Sequence, residues 1–512
     1  MDVLKKQVGS VLKLNGYSLK VDASRYLCEI LDPFDQQRRS EWLDRIVTSL
    51  QKLPLESAVI DRDTLEAAVR DCSKQADNES DELFNVIDLF SAPKYEYDSD
   101  RKKFVECPNA LSLHGTAESK ANVFRHRIAL LLQRTLRNPL FSNCETRFKL
   151  RSVEALLGSA TKLSDVLVLG MLTQLRAGSF FLEDMTGVVE LDMTETTFHS
   201  GLFTEGGIVL VEGRYENNVL TAAGIGLPPV ESAADSRAHL GDANYFGGPS
   251  PVAFSASKKL RKLEAENPDA TLVFLSDVWL DSEAVLSALH HLFTGFAANP
   301  PICFVLAGNF CSKPHGDEHD RLLKEGFRRL TQLFLEHPDL VNRSRFVFMP
   351  GLQDPALTNI LPRPPLPQSL ISAMTEKIPN CMFASNPCRI QYGTQEIVIL
   401  REDIVEKMCR NCIRMPSAQK EIPEHFAKTI QSQGHLTPLP IHMAPIYWDY
   451  DHCLRLYPLP DLIVVCDKYE PFTVTHSESI VTNPGSFARG NFSFQVYLPM
   501  SRQVEDSAVR IE

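Results

Sequence analysis

The chain has 512 residues, 44% of them hydrophobic and 23% charged, with a formal net charge of −12. That length is enough for about two to four domains with sizeable cores, and the composition is ordinary for a soluble globular protein. The acidic balance argues against a broad nucleic-acid-binding surface, because phosphate binding needs clustered Lys and Arg.

The 12 Cys are scattered, and several sit inside apolar runs (Cys28, Cys303, Cys466), which suits reduced, buried thiols in the cytosol or nucleus. The one Cys-x-x-Cys, Cys409 to Cys412, has only Cys388 and Cys381 nearby as further candidates. A zinc site needs a second pair, so a pair of structural thiols is the preferred reading over zinc. No run approaches the ~20 apolar residues of a membrane span, and no signal-peptide core opens the sequence. Arg101–Lys103 and Lys258–Lys262 are short basic clusters that read as solvated faces rather than nuclear-import signals.

Residues 1–75 predict four short helices. Leu4, Val8, Val11 and Leu12 follow a helical pattern that Gly16 ends. A second helix covers Ala23–Leu31, and a third covers about Gln36–Leu53 with Trp42, Ile46 and Leu50 on one side. A fourth starts at Asp63, with Glu66 at capping-box-like spacing and Leu65, Ala68, Val69 and Cys72 inward. With 12 basic against 12 acidic residues the unit carries no net charge and no catalytic pattern. It reads as a docking module. Gln75–Asp81 is a polar, acidic tether. Leu83–Phe90 and Lys94–Val105 alternate aromatic and charged residues and should be ordered, and Ala121–Asn138 is an amphipathic helix with Ile128, Leu131 and Leu132 inward.

Residues 165–230 predict an all-β unit. Five apolar runs begin at Val166, Ser179, Val188, Ile208 and Val219, with Gly, Asp and Asn turns between them. The pattern resembles an OB-fold, which often binds single strands in a basic groove with stacking aromatics. Here two basic residues (Arg176, Arg214) face nine acidic ones, a net of −7. Such a groove would repel a nucleotide, so Phe180, Phe181 and Phe203 read as core or protein-interface residues. Pro228–Pro251, with Asn244-Tyr-Phe-Gly-Gly-Pro249, reads as a linker, and Lys258–Glu266 as a short basic helix.

Three strand-then-loop segments follow: Thr271 to Trp279, Ile302 to Phe310 and Arg345 to Asp354. Each is a β-rich apolar run that stops at a small or polar residue, as buried parallel strands do, and sites in open α/β sheets lie at such strand ends. The spacings of 32 residues (277 to 309) and 42 residues (309 to 351) leave room for crossover helices. The Pro-rich Leu361–Pro367 reads as a rigid surface loop.

These segments resemble the calcineurin-like metallophosphoesterases. That family carries Asp-x-His after its first strand, Gly-Asp after its second, Gly-Asn-His-Asp/Glu after its third and Gly-His-x-His near its end. Asp277 matches, but Trp279 stands for the first His and Asn309 for the bridging Asp. Leu352 and Gln353 replace the Asn-His pair ahead of Asp354, and Asp467-Lys468 replaces the last His motif. A two-metal centre, its ions about 3.5–4 Å apart, needs carboxylate and imidazole ligands that these residues do not supply. Lys468 would put a cation where the family puts a ligand. Asn483-Pro484-Gly485-Ser486 matches a turn common after the last core strand of that superfamily. His435, in Gly434-His-Leu-Thr-Pro438, reads as a hydrogen-bonded structural residue.

The domain order resembles the accessory B subunits of the eukaryotic replicative DNA polymerases. The helical module and Asn244–Pro249 point to the epsilon branch of that family. The expected fold is multidomain α+β: an N-terminal four-helix module (1–75), tether and connecting helices (76–164), an OB-fold β-barrel (165–230), a linker (231–270) and a calcineurin-like α/β phosphoesterase-type domain lacking its metal ligands (271–512). The resemblance implies a non-catalytic scaffold of the nucleus, with no catalytic residue, cofactor or metal. Its implied partners are the C-terminal region of the catalytic subunit of DNA polymerase epsilon, the small histone-fold subunits of that complex and, through the N-terminal module, the replicative helicase assembly. It implies weak or indirect DNA contact and no membrane contact. Two other readings stay open: a divergent one-metal phosphodiesterase or nuclease using Asp277, Asp354 and Asp467, and a single-strand-binding module built on the OB-like unit.

Overall fold

The computed structural model describes residues 8–13, 15–31, 39, 43, 46–47, 50, 59–62, 64–66, 68–69 and 83–510, apart from 108–109, 143–148, 242, 251, 314–315, 317, 357 and 417–419. Two compact units divide it, Met1–Phe84 and Asn85–Glu512.

In the first unit, Val21–Leu31 is a helix whose Ala23, Leu27, Cys28 and Leu31 share one buried stripe. Val8 and Leu12, then Ile46, Val47 and Leu50, then Leu65, Ala68 and Val69 join the same core. Gly16, at φ +84°, follows the first helical stretch. Asp61 Oδ1 accepts from the Thr64 amide at 3.0 Å and its hydroxyl at 2.7 Å at the start of the last one. A two-residue parallel pairing, Ser18 with Val59 and Leu19 with Ile60, is too short to leave a periodic signal. Leu4, Trp42, Asp63, Cys72 and the 75–81 tether lie outside the described residues.

The second unit opens with a hairpin, Tyr95–Asp98 against Lys103–Glu106, and the helix Ala117–Arg137 capped by Thr116. A β-barrel follows. Leu163–Arg176 pairs antiparallel with both Ser179–Glu183 and Ile208–Glu216, and Val219–Gly226 closes the ring by pairing parallel with Val188–Asp192. Closure leaves no free central edge. Its interior holds Val168, Leu182, Val189, Val211, Leu220 and Phe203, so Phe203 is a core residue, with Phe180 packed against that core. The stretch read as a linker also holds the helix Ala233–Leu240, and the short basic helix expected at Lys258 runs Lys258–Ala265. Asn244 folds its motif into a tight turn, donating to Gly247 O at 2.8 Å and accepting from the Phe246 amide at 3.1 Å.

The remaining chain builds two six-stranded sheets. In the first, Leu272–Ser276, Cys303–Ala307, Arg345–Met349 and Cys381–Phe383 run parallel, and Ser493–Leu498 and Gln503–Ala508 extend it antiparallel. In the second, Gln395–Arg401, Leu462–Cys466 and Ser479–Asn483 run parallel at the centre. An edge of this sheet is the strand ending at Ile87, ahead of the barrel in sequence; the barrel is therefore inserted between pieces of the two-sheet domain. Helices Glu283–Phe296 and His319–Leu335 cover the first sheet, and Ile404–Arg410 and Ile422–Gln433 cover the second. Both faces of the central strands are buried, which is why they read as unbroken apolar runs. The Pro-rich segment is only in part a surface loop: Pro365 and Pro367 are exposed, whereas Leu361, Arg363 and Leu366 are buried, and Leu361 bridges to Ile446. Among the described residues no helix is long and apolar enough to cross a membrane.

Candidate functional site

The parallel strands of both sheets deliver their C-terminal residues to one cleft. Asp277, directly after Leu272–Ser276, is only 2% exposed and holds a φ of +56°. Its Oδ1 accepts from the Asn309 amide and from Asn309 Nδ2, each at 3.2 Å. The third donor to the same oxygen is Arg401 Nη2, at 2.7 Å.

Arg401 ends the second sheet's strand Gln395–Arg401 and is 1% exposed. Its Nε donates to Gly308 O at 2.6 Å, and its Nη1 donates to Asp403 Oδ1 at 2.9 Å and Cys466 O at 3.1 Å. A guanidinium thus joins three strand ends in the place where the resemblance expects metal ligands, and its planar fork meets four acceptors at once. Burial pushes the Asp277 carboxyl up, but Arg401 more than reverses this and holds it below the ordinary carboxylate range. The reciprocal attraction of Asp277 and Asp403 outweighs the burial of Arg401 and keeps it charged.

The other expected residues are also occupied. Asp354 accepts from the Phe310 amide at 2.9 Å and the Gly351 amide at 2.7 Å, while burial pushes its carboxyl up. Asn309 Oδ1 accepts from the Gln353 amide at 2.8 Å. Leu352 and Gln353 are half-buried in the same turn. Arg363 donates to Gly351 O and, at 2.8 Å, to Asp354 O. Gly308 and Gly351 must lack side chains: a Cβ on Gly308 would meet the Asp354 carboxylate, and one on Gly351 would stand 2.5 Å from Asn309 Oδ1. Trp279 is half-buried and lies under the Arg489 guanidinium, 5.0 Å from its ring centre.

Asp467 lies at the end of Leu462–Cys466, where its carboxylate accepts from the Val405 amide at 2.9 Å and the Tyr469 amide at 2.8 Å. Burial raises its pKa to about 6 against those bonds. Lys468 does not enter the cleft; its Nζ pairs with surface Glu406 at 2.9 Å. The expectation of a lysine cation there is corrected: the cleft cation is Arg401. The Asn483–Ser486 turn braces this end. Asn483 Oδ1 accepts from the Asp467 and Gly485 amides, and Phe487 N donates to Ser276 O at 2.7 Å.

His435 is buried and fully engaged. Its Nδ1 accepts from the Thr437 amide at 3.1 Å, and its Nε2 lies 3.2 Å from Asp451 Oδ1 and 2.9 Å from Arg127 Nη2. Burial, then the Arg127 charge, lowers its pKa to about 4. Cys412 donates to Arg414 O at 2.9 Å, and burial pushes the Cys409 and Cys412 thiols up, as suits structural thiols.

Arg401 and Arg363 escaped the sequence reading, which followed the family's ligand positions. The signal for Arg401 was present: Ile397-Val-Ile-Leu400 is one more apolar run stopped by a charged residue.

The family model for the B subunits of DNA polymerases alpha and epsilon matches residues 272–474. One for the DNA polymerase epsilon subunit 2-like OB-fold domain matches 117–229, and one for the DNA polymerases epsilon N terminal matches 1–72. DNA polymerase epsilon subunit 2 of Bos taurus and that of Homo sapiens are each 46% identical over 520 residues, covering 99% of this chain and 99% of the relative. DNA polymerase epsilon subunit 2 of Drosophila melanogaster is 39% identical over 517 residues, covering 99% of this chain and 98% of the relative. The solved structure of a novel archaeal phosphodiesterase covers 46% of this chain and 98% of its own, with 11% identity and a TM-score of 0.27, too distant to carry weight. On its end-to-end likeness to these relatives, the chain belongs to the DNA polymerase epsilon subunit 2 family.

Proposed function

We propose that the chain is the non-catalytic accessory subunit of a nuclear DNA polymerase epsilon, acting as a scaffold. In this reading residues 165–230 and 271–512 jointly hold the C-terminal region of the catalytic subunit, with the small histone-fold subunits alongside. Residues 1–75, on their acidic tether, reach the replicative helicase assembly, where tethering raises the module's effective concentration at its second partner. Full-length likeness to polymerase epsilon subunits supports the assignment.

The observation that carries the non-catalytic part is the buried Arg401–Asp277 pair. A dication beside a fixed guanidinium would have to overcome like-charge repulsion in a cleft that excludes water. Asn309, Leu352, Gln353 and Trp279 offer no charged ligand to offset that cost. These residues therefore do not fit a two-metal hydrolytic centre, and no hydrolytic step is assigned to them. The separate holding of Asp354 and Asp467 by backbone amides weighs against a one-metal variant as well.

The test is affinity purification of the tagged protein from nuclear extract at high salt, with partners identified by mass. Recovery of a very large polymerase subunit in stoichiometric amount is the expected result. A lone monomer with manganese-dependent phosphodiesterase activity, lost in Asp277→Ala, would overturn the reading.

A further inference from the structure

On the first sheet, the middle of the helix Glu283–Phe296 lies beside the C-terminal end of the helix His319–Leu335. Leu289, Leu292 and Phe293 of Glu283–Phe296 and Leu330 and Phe334 of His319–Leu335 face the sheet. His290 follows Leu289 and points outward, with its side chain 48% exposed. Glu336 closes the longer helix, and His337 comes next, as the N-cap of Pro338–Arg343. His290 Nδ1 lies 3.5 Å from Glu336 Oε2, and the His290 and His337 ring centres are 5.5 Å apart.

Among the described residues this is the one group of three or more His, Cys, Asp or Glu whose ligand atoms all lie within 4.8 Å of one another. We propose that His290, Glu336 and His337 bind one divalent transition-metal ion of the zinc class, with a fourth position left to water or to a donor from a neighbouring protein.

The chemistry of the donors selects the ion. Two imidazoles and one carboxylate suit zinc, cobalt or nickel, whereas magnesium and calcium prefer all-oxygen sites. Bonds of about 2.0–2.2 Å bring ligand atoms on a tetrahedral ion to roughly 3.4 Å apart, a contraction that exposed side chains can make by rotamer changes. A His290–Glu336 ion pair alone leaves His337 unexplained. His337 Nε2 is shielded from solvent without a hydrogen-bond partner, a state buried polar atoms rarely keep unless an ion or water meets them. An ion there would cross-link the outer helix to the turn at Glu336–Pro338, independently of the cleft and of the scaffold role.

The test is a cobalt(II) titration of the full-length protein followed by visible absorption, because nitrogen and oxygen ligation gives weak d–d bands and thiolate ligation adds intense charge transfer. One equivalent should bind with weak bands only, and zinc should displace it. His290→Ala/His337→Ala should abolish those bands without changing the circular dichroism, and Glu336→Gln should weaken binding at least ~10-fold. Equal loading of the double variant, no bands in the parent protein, or thiolate charge transfer alone from Cys409 and Cys412 would each overturn the proposal.

Discussion

Arg401 Nη2 stands 2.7 Å from Asp277 Oδ1, with the two side chains arriving from different sheets and both out of solvent. The pair fastens the sheets together at their strand ends, since the same guanidinium also holds Gly308 O and Cys466 O. Removing one member of a buried pair leaves an uncompensated charge. Arg401→Met should therefore cost about 3–5 kcal/mol. Asp277→Asn/Arg401→Met should recover part of that loss, because neither charge then remains. Urea unfolding of the three proteins checks this, and a cost under ~1 kcal/mol for Arg401→Met would remove the claim that the pair joins the sheets.

Asp467 gives a pH signature. Its folded pKa of about 6 exceeds the ordinary aspartate value of 3.8, so the native state binds the proton more tightly than the unfolded chain. The penalty for its ionisation is absent below pH 3.8, grows through the window and is complete above about pH 6. Its contribution to stability thus falls as pH rises. Asp467→Asn cannot ionise and should lose that component, whatever the amide does to the Val405 and Tyr469 bonds. Thermal midpoints of both proteins across the same window decide it; parallel curves would contradict the assigned shift.

Much of this architecture was legible because buried parallel strands are unbroken apolar runs, stopped here by Ser276-Asp277, Gly308-Asn309 and Pro350-Gly351. The cleft's own chemistry was not, because Arg401 and Asp277 are 124 residues apart and no local pattern pairs them. Lys468 misled the reading for a related reason: sequence places it beside Asp467, but successive side chains leave the backbone on opposite sides, and Glu406 draws it to the surface. The Pro-rich segment was partly misjudged because proline content speaks to backbone stiffness, whereas the burial of Leu361, Arg363 and Leu366 is decided by tertiary packing. The pairing of Ser18–Leu19 with Val59–Ile60 is two residues long, below any periodicity.

Gly308 tests the crowding under Asn309. A methyl group there meets the Asp354 carboxylate and stands 2.5 Å from the Gly351 amide nitrogen, and neither neighbour can retreat without breaking Asp354's bond to that amide. Gly308→Ala should abolish soluble, cooperatively folding protein. Gly295→Ala is the control: it lies on an exposed helical position with nothing within 4 Å of the added carbon. It should stabilise by about 0.5–1 kcal/mol, because alanine loses less backbone entropy in a helix. Expression yield and thermal melting compare them; a Gly308→Ala protein that melts like the parent would mean the cleft is looser than its geometry.

His435 and Arg127 are the last pair whose coupling can be measured. The folded pKa of about 4 lies below the ordinary histidine value of 6.5, so His435 adds stability that is complete above pH 6.5 and lost as pH falls toward 4. Arg127 contributes to that depression by standing 2.9 Å from His435 Nε2 while it pairs with Asp451. In Arg127→Met that repulsion disappears, leaving the weaker one from Arg455, and Asp451 loses its nearest cation, which favours imidazolium. The His435 pKa should then rise well above 4, while Asp451, deprived of its strongest opposing charge, should titrate higher than in the parent. Histidine ring shifts followed by NMR from acid to neutral pH give the first value directly. An unchanged His435 titration would show that burial alone sets it, and that Arg127 serves Asp451 without reaching the ring.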